Sequence, residues 1–179
     1  VQLATPDALY SDGNNYKPVS AAISHLNPFM PGISQVLALG TGLGSLVHIT
    51  RAKGYNPHFT LVEIDKVVLN WAIEFMDAKN ASNITPVSMD AQLFMEQNTL
   101  KYGLIFIDIF NSRSVPPFVT TAAFLTLCRH SLADQGYVAF NYMIDNPEDW
   151  VRVQEVFASI FPNNTILDLG INRVFIGSL

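Results

Sequence analysis

Three glycines at alternate positions, Gly40, Gly42 and Gly44, stand between the apolar run Val36-Leu37-Ala38-Leu39 and a helix-like segment that starts near Leu43. About twenty residues on, a second apolar run, Leu61-Val62, ends in Glu63, with Asp65 close behind. Glycines let the main chain approach a ligand closely, and a helix N-terminus offers free N–H groups. A carboxylate at the tip of the next strand can accept two hydrogen bonds from a ribose diol. The spacing therefore suits an adenosine-type nucleoside. Ser45 stands where the NAD pattern needs glycine or alanine, and no lysine follows the glycines as a P-loop requires.

Further acids fall where strands should end. Asp90, in Met89-Asp90-Ala91, suits a contact to an adenine amino group, with the Ala91 N–H directed to a ring nitrogen. Asp108 ends the apolar run Leu104-Ile105-Phe106-Ile107. In an open parallel sheet that position faces the ligand crevice, where a carboxylate can receive an ammonium group. The following loop, Ile109 to Val119, carries Arg113 and the stiffening pair Pro116-Pro117 and reads as a wall of an acceptor pocket. Asn141 and Tyr142 fall on the same rim. Structural alternatives stay open beside these roles. The glycines also suit helix–sheet packing, and Glu63, Asp65 and Asp90 also suit helix caps, Asp65 best of the first two.

To position these residues the chain needs strands and helices in alternation. Apolar runs predict strands at 35–39, 58–63, 84–88, 104–108, 137–141, 165–169 and 173–176. Helical patterns fall at 43–53, 66–76, 91–97, 120–133 and 147–160, with a short one at 18–26. Runs that are apolar on both faces belong inside a helix-covered parallel sheet. The expected fold class is α/β: a doubly wound, Rossmann-like, seven-stranded sheet. Near the end, Leu167 to Val174 places two strands around a Gly170-x-Asn172 turn with no helix between them. The last strand must then be reversed against an otherwise mostly parallel sheet. Residues 35–179 form the nucleoside-binding α/β domain in this reading, and residues 1–34 a flank or lid ahead of it.

Composition narrows the function classes. With 49% hydrophobic and 14% charged residues, the 179-residue chain is globular in type, with little room for disorder. A net charge of −5 and ten scattered Lys and Arg argue against a nucleic-acid partner. The long uncharged run from Phe29 to Thr50 is broken by glycines, prolines and polar residues, so no membrane partner is expected. No signal peptide is visible, and a chain that starts at Val1 reads as processed or as part of a longer protein. Cys128, the single cysteine, sits in an apolar helical stretch and reads as a buried small hydrophobe in a reducing, cytoplasmic compartment. His25, His48, His58 and His130 lie far apart, so no metal site is expected.

The segments Val36–Ser45, Leu61–Asp65, Met89–Ala91 with Phe94, Tyr102–Asp108 and Gly136–Asn141 resemble, in order and wording, the class I S-adenosylmethionine-dependent methyltransferase fold. Within it they look most like the spermidine synthase family of aminopropyltransferases. The resemblance covers about residues 33–179, and the terminal hairpin fits it. It implies a transferase that uses S-adenosylmethionine or decarboxylated S-adenosylmethionine on a small-molecule acceptor such as a polyamine. Gly40, Gly42 and Gly44 would cradle the amino-acid or aminopropyl end. Glu63 would hold the ribose, Asp90 and Ala91 the adenine, and Asp108 the attacking amine as the catalytic residue. A homodimer is one assembly the resemblance allows.

The chain also departs from the family. Asn111 replaces the second acid of the family's Asp-x-x-Asp pair, and an amide cannot act as a base. Residues 1–34 are too few for the family's N-terminal β-rich domain. Aminopropyl transfer, methyl transfer to a small molecule, and a non-catalytic nucleoside-binding homologue therefore all stay open. An NAD-dependent oxidoreductase is opposed by Ser45 and the terminal hairpin.

Overall fold

The structure, a computed structural model, describes residues 2–4, 9–76, 83–144 and 146–179. Its centre is a seven-stranded sheet of β3 (Gln35–Leu39), β4 (His58–Glu63), β5 (Ile84–Ser88), β6 (Tyr102–Ile107), β7 (Leu132–Met143), β8 (Asn163–Leu169) and β9 (Asn172–Ser178). The strand order is β5-β4-β3-β6-β7-β9-β8. Pairing is parallel from β5 to β7, and β9 runs antiparallel to both its neighbours. This is the doubly wound sheet with a reversed last strand that the sequence predicts. A short hairpin, β1 (Leu3–Ala4) and β2 (Leu9–Ser11), precedes it and was not legible in the sequence.

The helices are α1 (Lys17–His25), α2 (Ser45–Ala52), α3 (Lys66–Glu74), α4 (Ala91–Gln97), α5 (Ala122–His130) and α6 (Pro147–Ile160). They cover the sheet on both sides, and the period of two along each strand shows it. Val36 and Ala38 of β3, with Leu104 and Phe106 of β6, pack with Ile23 of α1, Val47 of α2 and Leu69 of α3. Leu37, Leu39, Ile105 and Ile107 point the other way, into a second core with Met95 of α4, Leu125 of α5 and Phe157 of α6. Strands buried on both faces need no polar alternation, which is why they read as continuous apolar runs.

Helix starts follow local chemistry. Asp65 accepts from the N–H groups of Val67 and Val68 and caps α3, as expected of it. Asp90 does the same for Gln92 and Leu93 at α4. One strand differs clearly in length: β7 begins at Leu132, ahead of the predicted 137–141. Leu132 already pairs with Tyr102, and the register then shifts where Gln135 adopts φ 60°. An irregular stretch of this kind breaks the period of two, so an apolar run reveals only its regular part.

Candidate active site

Two strands that leave β3 on opposite sides create the crevice. The chain passes from β3 to β4 on one side and returns later to β6 on the other, so the switch in strand order lies between β3 and β6. Beyond the carboxyl ends of these strands a cleft of about 550 Å³ opens. It is lined on the β4 and β5 side by Glu63, Asp65, Asp90 and Ala91, and on the β6 side by Asp108 and the loop that follows. Gly40 and Gly42 lie between them.

The glycine loop is held by both flanking strands. Gly40, at φ 84°, has no room for a side chain: a Cβ there would come within 2.2 Å of the Asp108 carbonyl oxygen. Packing of the loop against the tip of β6 alone requires this glycine. Glu63 reaches back to the loop, and its Oε2 accepts from the Thr41 N–H at 3.0 Å and the Gly42 N–H at 3.3 Å. Its Oε1 accepts from the Asp65 N–H at 3.1 Å. The carboxylate thus shapes the loop and still faces the cleft, with lone pairs in excess of these three donors. Gly44 takes a different place. It sits at φ 80° as the N-cap of α2, is not among the residues that line the cleft, and presents its α-carbon to the Met76 side chain.

Asp90 is a helix cap that also lines the cleft. One carboxylate oxygen, Oδ1, caps α4 while the residue lines the cleft beside Ala91.

Asp108 is partly exposed and lines the cleft, with its carboxyl group desolvated by the protein around it. The Asn141 Nδ2 donates to its Oδ1 at 2.8 Å, and the Tyr16 hydroxyl donates to the same oxygen at 3.2 Å. Oδ2 accepts no hydrogen bond from the described residues. Burial pushes the Asp108 carboxyl up to about 7, against the pull of the Asn141 and Tyr16 hydrogen bonds. The Tyr16 hydroxyl is driven far above its ordinary value by its own burial and by the neighbouring Asp108, so it stays protonated and donates.

Three of these partners were hidden in the sequence or placed differently by it. Tyr16 lies in the N-terminal flank, 92 residues from Asp108, and nothing local marks it. Asn141 does not line the cleft. It is fully buried behind Asp108, and its Oδ1 accepts from Asn172 Nδ2 at 2.9 Å. Asn172, at the start of β9, is thereby coupled to the site through the terminal hairpin. Tyr142 packs into the aromatic core with Phe140, Trp150 and Phe175. Of the 109–119 loop, Ile109, Phe110, Asn111, Pro116 and Phe118 line the cleft, whereas Arg113 does not.

Comparison with known proteins agrees with the fold. No family model matches the chain. It is 30% identical over 117 residues to an N-terminal histidine N-methyltransferase of Emericella nidulans, covering 63% of this chain and 20% of that protein. It is 28% identical over 116 residues to a polyamine aminopropyltransferase of Vibrio vulnificus, covering 63% of this chain and 39% of that protein. The matches thus span about a fifth to two fifths of these relatives. A probable spermidine synthase from Corynebacterium glutamicum superposes with a TM-score of 0.74 at 21% identity, over 98% of this chain and 67% of that one. With its strand order, reversed last strand and glycine loop between β3 and α2, the chain has the class I methyltransferase fold, and its similarity runs to spermidine synthases and methyltransferases of that fold.

Proposed function

We propose that the chain is a transferase that binds S-adenosylmethionine or its decarboxylated form and passes a methyl or aminopropyl group to a small-molecule acceptor. One observation carries the reading. Gly40, Gly42, Glu63, Asp90, Ala91 and Asp108, scattered over 69 residues of sequence, line a single cleft at the switch in strand order. The relatives' names, a methyltransferase and an aminopropyltransferase, support the same class of chemistry.

The residues fit the ligand. A cleft of about 550 Å³ lies within the range of small-molecule sites. Glu63 has acceptor capacity left for a ribose diol, and Asp90 keeps its second carboxylate oxygen beside the Ala91 N–H for adenine. When bound, the sulfonium would supply an activated carbon, to which an acceptor nitrogen could bond as the carbon–sulfur pair returns to sulfur to leave a neutral thioether.

The chain's own part is to bind, align and take a proton. Asp108, with Oδ2 unbonded among the described residues, steers a cationic nitrogen to the centre of the cleft and accepts the proton it loses. Tyr16 and Asn141 hold the carboxylate in place through Oδ1. Residues 1–34 act as a flank over the cleft, with Leu3 and Tyr16 among its lining. A cytoplasmic, reducing setting suits Cys128, a free and buried thiol.

Calorimetric titration with S-adenosylmethionine and decarboxylated S-adenosylmethionine tests the proposal. Micromolar binding of one of them is expected, and the preferred ligand identifies the group transferred. Binding of neither overturns the reading.

A further inference from the structure

The acceptor half of the cleft is built differently from the nucleoside half. The strand order separates them, with β4 and β5 on one side of the glycine loop and β6 on the other. Glu63, Asp65 and Asp90 all lie on the β4 and β5 side. On the β6 side the lining includes Tyr16, Ile109, Phe110, Asn111, Pro116 and Phe118, and Asp108 is its single charged member among the described residues. No Lys, Arg or His lines either half among those residues.

Building on the transferase reading above, we infer that the acceptor carries one basic nitrogen on an apolar body, and that di- and polyamines are rejected. Asp108 offers one carboxylate, with one oxygen already held by Tyr16 and Asn141, and so matches one nitrogen. A second ammonium would lie along the wall from Ile109 to Phe118. Its only polar side chain facing the cleft there is Asn111, which can accept a hydrogen bond but brings no charge. A second ammonium finds no opposite charge on this wall, whereas an alkyl or aromatic body gains by covering it.

The wall is also firmly built. Phe118 meets Phe124 edge-to-face, with centroids 5.1 Å apart. The main chain of Asn111 pairs with Ser114 in both directions, at 2.9 and 3.2 Å.

The test uses the intact chain loaded with a product nucleoside, S-adenosylhomocysteine or methylthioadenosine. Binding of pentylamine, benzylamine and 1,5-diaminopentane is measured by calorimetry. Turnover of the same amines with the productive sulfonium is the second readout. Pentylamine and its diamine differ only in the far ammonium, so their ratio isolates it. We expect the wild-type chain to bind a monoamine at least tenfold more tightly than the diamine. Asn111→Asp should shift that ratio at least tenfold toward the diamine. Because Asn111 is exposed, circular dichroism should show the variant folded.

Equal or tighter binding of the diamine by the wild-type chain overturns the inference. So does an unchanged ratio in the variant, or a nucleoside-loaded chain that binds none of the amines. Failure of both nucleosides to bind is a separate result, which removes the transferase reading and this inference with it.

Discussion

Glu63 and Asp108 face the same cleft from its two halves, yet they are held in opposite ways. Glu63 is half-buried and bonded to main-chain amides of Thr41, Gly42 and Asp65. Asp108 is also half-buried, but its desolvated carboxyl is bonded to the side chains of Tyr16 and Asn141. Amide donors stabilise a carboxylate and fix a loop, which suits an acid that binds. A desolvated carboxyl held by two neutral side chains is poised near neutrality, which suits an acid that exchanges a proton. The contrast fits the proposal that one half binds the ligand and the other exchanges the proton.

The largest effect expected from breaking this contrast is at Asp108. Asp108→Asn keeps the shape and removes the base, so turnover should fall at least ~100-fold. Nucleoside affinity by calorimetry should stay within about threefold, since the contacts on the other half are untouched. The same variant has a signature in stability. With its carboxyl raised to about 7, folded Asp108 holds a proton more tightly than in the unfolded chain. Its contribution is complete below the unfolded value near 4 and is lost as pH climbs toward 7. Thermal melts from pH 4 to 8 should therefore decline less steeply in Asp108→Asn. A parallel decline would contradict the buried, protonating carboxyl.

At Glu63 the reverse pattern is expected. Glu63→Gln should weaken nucleoside binding by about tenfold, as lost hydrogen bonds to a charged acceptor do. Once the ligand is saturating, turnover should recover most of its wild-type rate. A variant that binds normally and turns over slowly would move Glu63 to the other half of the comparison.

The smallest effect should come from Asn172, which reaches Asp108 only through Asn141. Asn172→Ala should lower turnover by about threefold, a fraction of one hydrogen bond's worth. It should also weaken the Asn141 hold on the carboxylate. The acid limb of the rate profile, expected near 7, then moves to higher pH. A rate change with no shift of that limb would make Asn172 a purely structural residue of the hairpin.

How far the site was legible follows the same division. Glu63, Asp65 and Asp90 were readable because each sits where a strand stops and a helix starts, and their partners lie within a few residues or on the adjoining glycine loop. Asp108 was readable as the end of an apolar run. Its partners were not, since Tyr16 is 92 and Asn141 is 33 residues away and neither carries a local signature. Gly44 shows the converse. The alternate spacing groups it with Gly40 and Gly42, but the turn of the chain into α2 directs it toward Met76.

The sequence by itself determined the alternation of strands and helices, the reversed final strand and the positions of the acids, because periodicity, capping and turn chemistry act over a few residues. Only the tertiary structure decided which of those acids is desolvated, what holds it and how bare of charge the wall beside it is. Burial and long-range hydrogen bonds depend on which distant segments the sheet order brings together, and no local pattern records that.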